Sequence, residues 1–163
     1  MRPSFLPLQR NYSPTGTVTK AELFREIGWD DLIKNPDYDN TCAIRMSLAL
    51  MKVGVPIHGR MAIKKGPFAG QRIEPGQLKL SNMLLQKSLF GAPEKFDQRS
   101  VKAGVAERSG VIAFFRIPGY LGGRGGHIDI VSPGANDHLA CGSACYFNAA
   151  EFWFWVLQPG GQV

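Results

Sequence analysis

The run from Cys42 to Val53 constrains this chain more than any other. Asn40 or Thr41 can cap a helix there, and Gly54 can end it. Thr41, Arg45 and Lys52 share one narrow stripe, and nearly everything else in the run is apolar. A helix that is apolar nearly all round is a buried one. The rest of the fold must therefore be built around it. With 163 residues, 44% apolar and 20% charged, the chain is long enough for one sizeable core, and disorder is excluded. One domain over 1–163 is the expectation. The longest clean apolar run, Val111–Phe115, is far below the ~20 residues that a membrane-spanning helix needs.

Helices come first along the chain. Thr19 followed by Glu22 is a capping-box spacing and starts a helix over Lys20–Ile27, closed by Gly28. Trp29–Pro36 fits no single pattern. Pro56–Gly76, rich in Gly, Pro and basic residues, reads as loop. Ser81–Phe90, closed by Gly91, reads as a further helix, and Gln98–Ala106 as a short one.

The pattern changes after Ser109-Gly110. Val111–Ile117 is β-branched and aromatic, hence a strand. Pro118–Gly126 contains five glycines and is a loop. His127–Val131 is a strand, Ser132–Asn136 a turn, Leu139–Phe147 a third strand and Phe152–Leu157 a fourth. One face of the aromatic run Phe152–Trp155 belongs to the core, which leaves the other for a partner patch. Helices followed by short strands without crossover helices mean α+β with an antiparallel sheet.

Cys42 opens the buried helix. A thiolate there faces the positive end of the helix dipole and unpaired backbone amides, which favour the ionised, nucleophilic form. The same amides can hold the oxyanion of a tetrahedral intermediate. The plain alternative is a small buried hydrophobe. A nucleophilic cysteine needs a base. His58 lies beyond the far end of the helix, about 18 Å away at 1.5 Å per residue. His127 opens a strand after Gly125-Gly126, where a side chain can reach a cleft at the sheet edge. For the third member, which orients the imidazole, the hairpin points to Asp137, with Asn136 as substitute. Asp129 shares a face with His127 and reads as too close for good geometry.

Cys141 and Cys145, with the three residues Gly-Ser-Ala between them, can close a small disulfide loop, stay as free thiols, or join His127 and His138 on zinc. The spacing matches no common zinc module. The glycine-rich Gly122–Gly126 lacks the Gly-Lys-Ser/Thr of a phosphate cradle and reads as a plain loop. The excess of 19 Lys and Arg over 13 Asp and Glu, +6, favours anionic partners without choosing among nucleic acid, cell wall and acidic protein. Met1–Pro14 has no apolar core of a secretory signal, so the chain is expected in the cytoplasm where it is made.

Arg2-Pro-Ser-Phe5, Asn40-Thr-Cys-Ala-Ile-Arg-Met-Ser-Leu-Ala-Leu50, Gly125-Gly-His-Ile-Asp129, and Cys145-Tyr-Phe147 before Phe152-Trp-Phe-Trp155 resemble, in order along the whole chain, the fourth family of type VI amidase effectors. The resemblance implies a papain-like, NlpC-type cysteine peptidase fold, with an antiparallel sheet packed on the core helix that carries the nucleophile. It implies an amidase that cuts peptidoglycan stem peptides between D-glutamate and meso-diaminopimelate, without cofactor or metal. Cys42 would be nucleophile, His127 base and Asp137 the third residue. It also implies injection by the type VI apparatus into a rival's periplasm and a cognate immunity protein as partner. Neither nucleic-acid binding nor membrane insertion is implied. Cys141 and Cys145 would then meet an oxidising compartment and pair. A cysteine peptidase or acyltransferase acting on protein, and a non-enzymatic wall- or nucleic-acid-binding module, are the competing readings.

Overall fold

The structure, a computed structural model, describes residues 1–160; residues 161–163 of the expected 1–163 domain lie outside the described residues. Helix α1 (Phe5–Asn11) precedes α2 (Lys20–Ile27), which keeps the expected boundaries. The Thr19 hydroxyl accepts from the Glu22 amide at 3.1 Å, and Gly28 ends the helix in the left-handed region. Two single 3₁₀ turns, Asp30–Leu32 and Pro36–Tyr38, fill the ambiguous stretch that follows.

Helix α3 (Cys42–Lys52) is the core helix, buried at every position from Cys42 to Met51. Even Arg45 is buried. Its guanidinium is satisfied by the carbonyls of Ser13 and Val18 and by the Thr41 hydroxyl, at 2.7–2.9 Å. Arg45 and Thr41, which look like a polar stripe in sequence, in fact tie the N-terminal segment onto α3.

The expected loop Pro56–Gly76 contains a two-residue antiparallel ladder, β1 (Met61–Ala62) with β2 (Arg72–Ile73). Helix α4 runs over Gln77–Leu84 rather than Ser81–Phe90. It starts directly after Pro75-Gly76 and buries Leu80, Ser81 and Leu84, while 85–90 form turns ending at Gly91. Strand β3 (Glu94–Phe96) and helix α5 (Val101–Val105) lead to β4 (Gly110–Phe115). The sheet is completed by β5 (His127–Pro133), β6 (Leu139–Cys141) and β7 (Glu151–Val156). Its strand order is β3-β7-β4-β5-β6, antiparallel throughout, as expected of an α+β fold.

Both faces of the sheet are covered. Val111, Ala113, Ile128, Ile130 and Trp155 pack on the layer of α1, α2, α3 and α4. Ile112, Phe114, Val131, Phe152 and Phe154 pack on α5 and the segment around Ala149. This explains why β4 is buried at every residue, and why the aromatic run of β7 spends both faces on core. Only Trp153 of the aromatic run is half-open, and it packs at a tilt against Phe115 under Lys95, so no aromatic partner patch is left there.

The third strand ends at Cys141, not Phe147. A disulfide between Cys141 and Cys145 turns the chain there. The bond also removes both sulfurs from any zinc site.

Candidate active site

Cys42 and His127 line one cleft of about 400 Å³ between the start of α3, the start of β5 and the 117–126 loop. Asn40, Tyr120, Ser143 and Tyr146 are among its walls. The strand order brings β5 against α3, and the glycines before it let the walls close. A Cβ on Gly125 would land 1.7 Å from the Tyr120 ring, and one on Gly126 would land 2.1 Å from the Gln77 side chain. The expected close approach at this pair is therefore made by the protein's own side chains.

The His127 ring is buried and pinned on several sides. Nε2 bonds to Asp129 Oδ2 at 2.8 Å. With Nε2 occupied, Nδ1 is the ring nitrogen left to serve Cys42, which lines the same cleft. Tyr146 meets the ring edge-on at 5.1 Å and Phe114 lies at 5.7 Å. Burial disfavours the charged imidazole, but the bond and charge of Asp129, with the neighbouring Cys42 sulfur, win, raising its pKa from 6.5 to about 9.

Asp129, rather than Asp137, is the carboxylate that reaches His127. It is fully buried and accepts three further bonds, from the amides of Ile130 (2.8 Å), Ser143 (2.9 Å) and Ala144 (3.0 Å). Two residues along a strand separate Cα atoms by roughly 6.6 Å on one face, a gap that a histidine and an aspartate span when their side chains lean together. The i, i+2 spacing is therefore not too close for this pair, contrary to the expectation from sequence. Asp137 and Asn136 sit exposed in the β5–β6 turn, both at positive φ. Asp137 lines a different cavity, with His138 and Lys102. Since β5 begins at His127 and the turn follows Pro133, that turn lies roughly 20 Å away along the strand. The returning chain does come back toward His127. However, the pairing Val131↔Cys141 means that backbone amides of the disulfide loop arrive, not the turn's side chains.

Gly142 is required for this arrival: a Cβ there would meet the Tyr12 ring at 2.6 Å and Asp129 Oδ1 at 2.8 Å. Tyr12 closes the far side of Asp129, with its hydroxyl 3.3 Å from Ser143 Oγ. Burial and the Asp129 charge hold the Tyr12 phenol well above its ordinary range, so it stays neutral. The sequence reading sets Asp129 aside and does not reach Tyr12 or the Ser143 and Ala144 amides. The Asp two after the His was the available signal.

The start of α3 also departs from expectation. The Cys42 amide is not free but donates to Asn40 Oδ1 at 3.2 Å. Asn40 is thus the cap at Cys42, while the Thr41 hydroxyl serves Arg45.

The family model for the type VI secretion system amidase effector protein 4 matches residues 38–155, more than half of the chain, with Cys42, His127 and Asp129 inside the match. The chain belongs to that family. It is therefore an amidase effector of type VI secretion. No curated protein sequence matches it. Solved structures resemble it in fold. The Tae4–Tai4 effector–immunity complex from Enterobacter cloacae aligns at a TM-score of 0.74 and 20% identity, covering 97% of this chain and 100% of that one. Tae4 from Salmonella typhimurium, solved in complex with the immunity protein Tai4 from Enterobacter cloacae, aligns at 0.71 and 19% identity over 96% and 99%. Among the described residues no helix is long and apolar enough to cross a membrane.

Proposed function

We propose that this amidase effector is a cysteine-dependent peptidoglycan amidase that cuts the D-glutamyl to meso-diaminopimelate bond of stem peptides. The fold is read as a papain-like, NlpC-type one, a single catalytic domain over 1–163. The observation that carries the reading is Cys42 at the first turn of a buried helix, sharing one cleft with a histidine that a buried aspartate holds.

His127 Nδ1 takes the Cys42 proton, and the resulting imidazolium–thiolate pair is stabilised by Asp129. The thiolate attacks the D-glutamyl carbonyl. Substrate displaces the bond between the Cys42 amide and Asn40 Oδ1, freeing that amide for the oxyanion. The His127 imidazolium protonates the leaving amine, and a water activated by His127 then resolves the thioester. Asp129, the expected role of Asp137, keeps the ring turned so that Nδ1 faces Cys42.

Delivery by type VI secretion puts the active enzyme in the periplasm of a target bacterium, where its substrate lies. The Tae4–Tai4 complexes among the solved structures support a cognate immunity protein as partner of this chain. The test is Cys42→Ala. The folded variant should release no stem-peptide product from purified muropeptides. Near wild-type cleavage by that variant would refute the cysteine mechanism.

A further inference from the structure

We propose that a second cavity, beside the catalytic cleft, receives the zwitterionic end of the diamino acid on the amine side of the scissile bond. The proposal rests on the amidase reading above and deepens it.

This cavity of about 400 Å³ is lined by Asp37, Tyr38, Asn40, Arg60, Met61, Pro75 and Gly76. It shares Asn40 with the catalytic cleft. Since Asn40 Oδ1 lies 3.2 Å from the Cys42 amide, a peptide bound across Cys42 extends into it within one residue.

Arg60 is its one cationic lining residue, and it is built in place rather than loose. Its Nε and Nη2 donate to the carboxylate of Glu74 at 2.9–3.2 Å. The Glu74 side chain is only 3% exposed, while that of Arg60 is 53% exposed. Glu74 is fixed further by the Gly76 amide at 2.8 Å, and its backbone carbonyl by the Ser47 hydroxyl on α3. Glu74 thus acts as a buried clamp on one edge of the guanidinium. The remaining edge, with Nη1 free of any partner among the described residues, is open to a ligand carboxylate. A guanidinium held in this way forfeits little side-chain entropy when it binds.

Asp37 is the one anionic lining residue. It is exposed, and no cation among the described residues pairs with it. One fixed cation and one free anion match a ligand end that carries a carboxylate and an ammonium together. On the acyl side of the proposed bond, D-glutamate offers a carboxylate but no ammonium. On the amine side, the far centre of a free diaminopimelate carries both. Charge therefore assigns the cavity to the amine side, with Arg60 on the carboxylate and Asp37 on the ammonium.

The experiment compares three synthetic stem tripeptides. One ends in meso-diaminopimelate, one in lysine, which keeps the ammonium but lacks the carboxylate, and one in diaminopimelate acetylated at the far amine. A charge-assisted pair should favour the first over the lysine peptide by about tenfold or more in kcat/KM for the wild type. Arg60→Gln alone would strand the buried Glu74, so it is combined with Glu74→Gln, and folding is checked by circular dichroism. In that double variant the diaminopimelate-to-lysine ratio should collapse to about one. Asp37→Asn should lose the preference for the free over the acetylated amine and keep the preference for diaminopimelate over lysine. A folded double variant that retains the wild-type ratio overturns the assignment of Arg60. A wild type that cleaves all three peptides equally overturns the subsite while leaving the amidase reading intact. A wild type that cleaves none overturns both.

Discussion

Replacing Asp129 by asparagine isolates what the carboxylate does for His127. Asp129 Oδ2 accepts from His127 Nε2, Ser143 N and Ala144 N, and Oδ1 accepts from Ile130 N. Asparagine keeps the shape but has only one acceptor oxygen. If that oxygen takes the three bonds of Oδ2, the NH₂ group faces the Ile130 amide, donor against donor. One buried donor is then unsatisfied, which costs about 1–3 kcal/mol of stability. A domain of this size holds about 5–15 kcal/mol, so the variant should fold. The negative charge beside the ring is lost, so the His127 pKa should fall from about 9 toward its ordinary 6.5. With the imidazolium less stabilised and less well oriented, cleavage should fall by about 10²–10⁴-fold. Asp137→Asn, in the exposed turn, should cleave within about twofold of wild type, because asparagine also tolerates a positive φ. The assays are chromatography of muropeptide digests for rate and an NMR titration of the His127 ring for pKa. If Asp137→Asn abolished cleavage while Asp129→Asn spared it, the assignment of the third residue to Asp129 would be wrong.

Three further outcomes follow from the same geometry. Cys141→Ser with Cys145→Ser should cut the cleavage rate, because the bond holds the Ser143 and Ala144 amides on Asp129. The closed loop is short, so stability should drop by only about 2 kcal/mol, a few degrees in a melting curve. His127 has a raised folded pKa, so its stabilisation is full below pH 6.5, declines as pH rises, and is gone above about 9. The total is about 3 kcal/mol, read as a fall in melting temperature across that window that Asp129→Asn abolishes. Fused to a periplasmic signal, the protein should lyse Gram-negative cells and should be harmless in their cytosol; equal toxicity from both compartments would favour a protein or nucleic-acid target.

Elements were legible in the sequence where a local signal and the tertiary structure agreed. Helix α2 has its capping box and its glycine stop, and α3 has an all-round apolar surface that only burial can satisfy. The missed elements are stabilised from outside. Helix α1 carries Pro7 in its first turn, tolerated because no helical donor is lost there. Its start is held by bonds from Phe5 N and Leu6 N to the carbonyls of 158 and 159, and by Arg2 bonded to the carbonyls of Phe90, Ala92 and Val156. Strand β3, Glu-Lys-Phe, is a polar edge strand that exists through its ladder to β7. At the site, Cys42 and His127 could be placed because each stands at the first residue of an element. Asp129 is not legible as the partner of His127 because strand spacing alone does not show the lean of the side chains. The three amides that anchor it belong to backbone, which carries no sequence signature of its own.

The most direct measurement of the central claim is mass spectrometry of the products from a purified disaccharide tetrapeptide. A disaccharide ending in L-Ala-D-Glu, together with a free diaminopimelyl-D-alanine, is the predicted pair, formed by the wild type and not by folded Cys42→Ala. Cleavage at any other bond, or the same pair from Cys42→Ala, would contradict it.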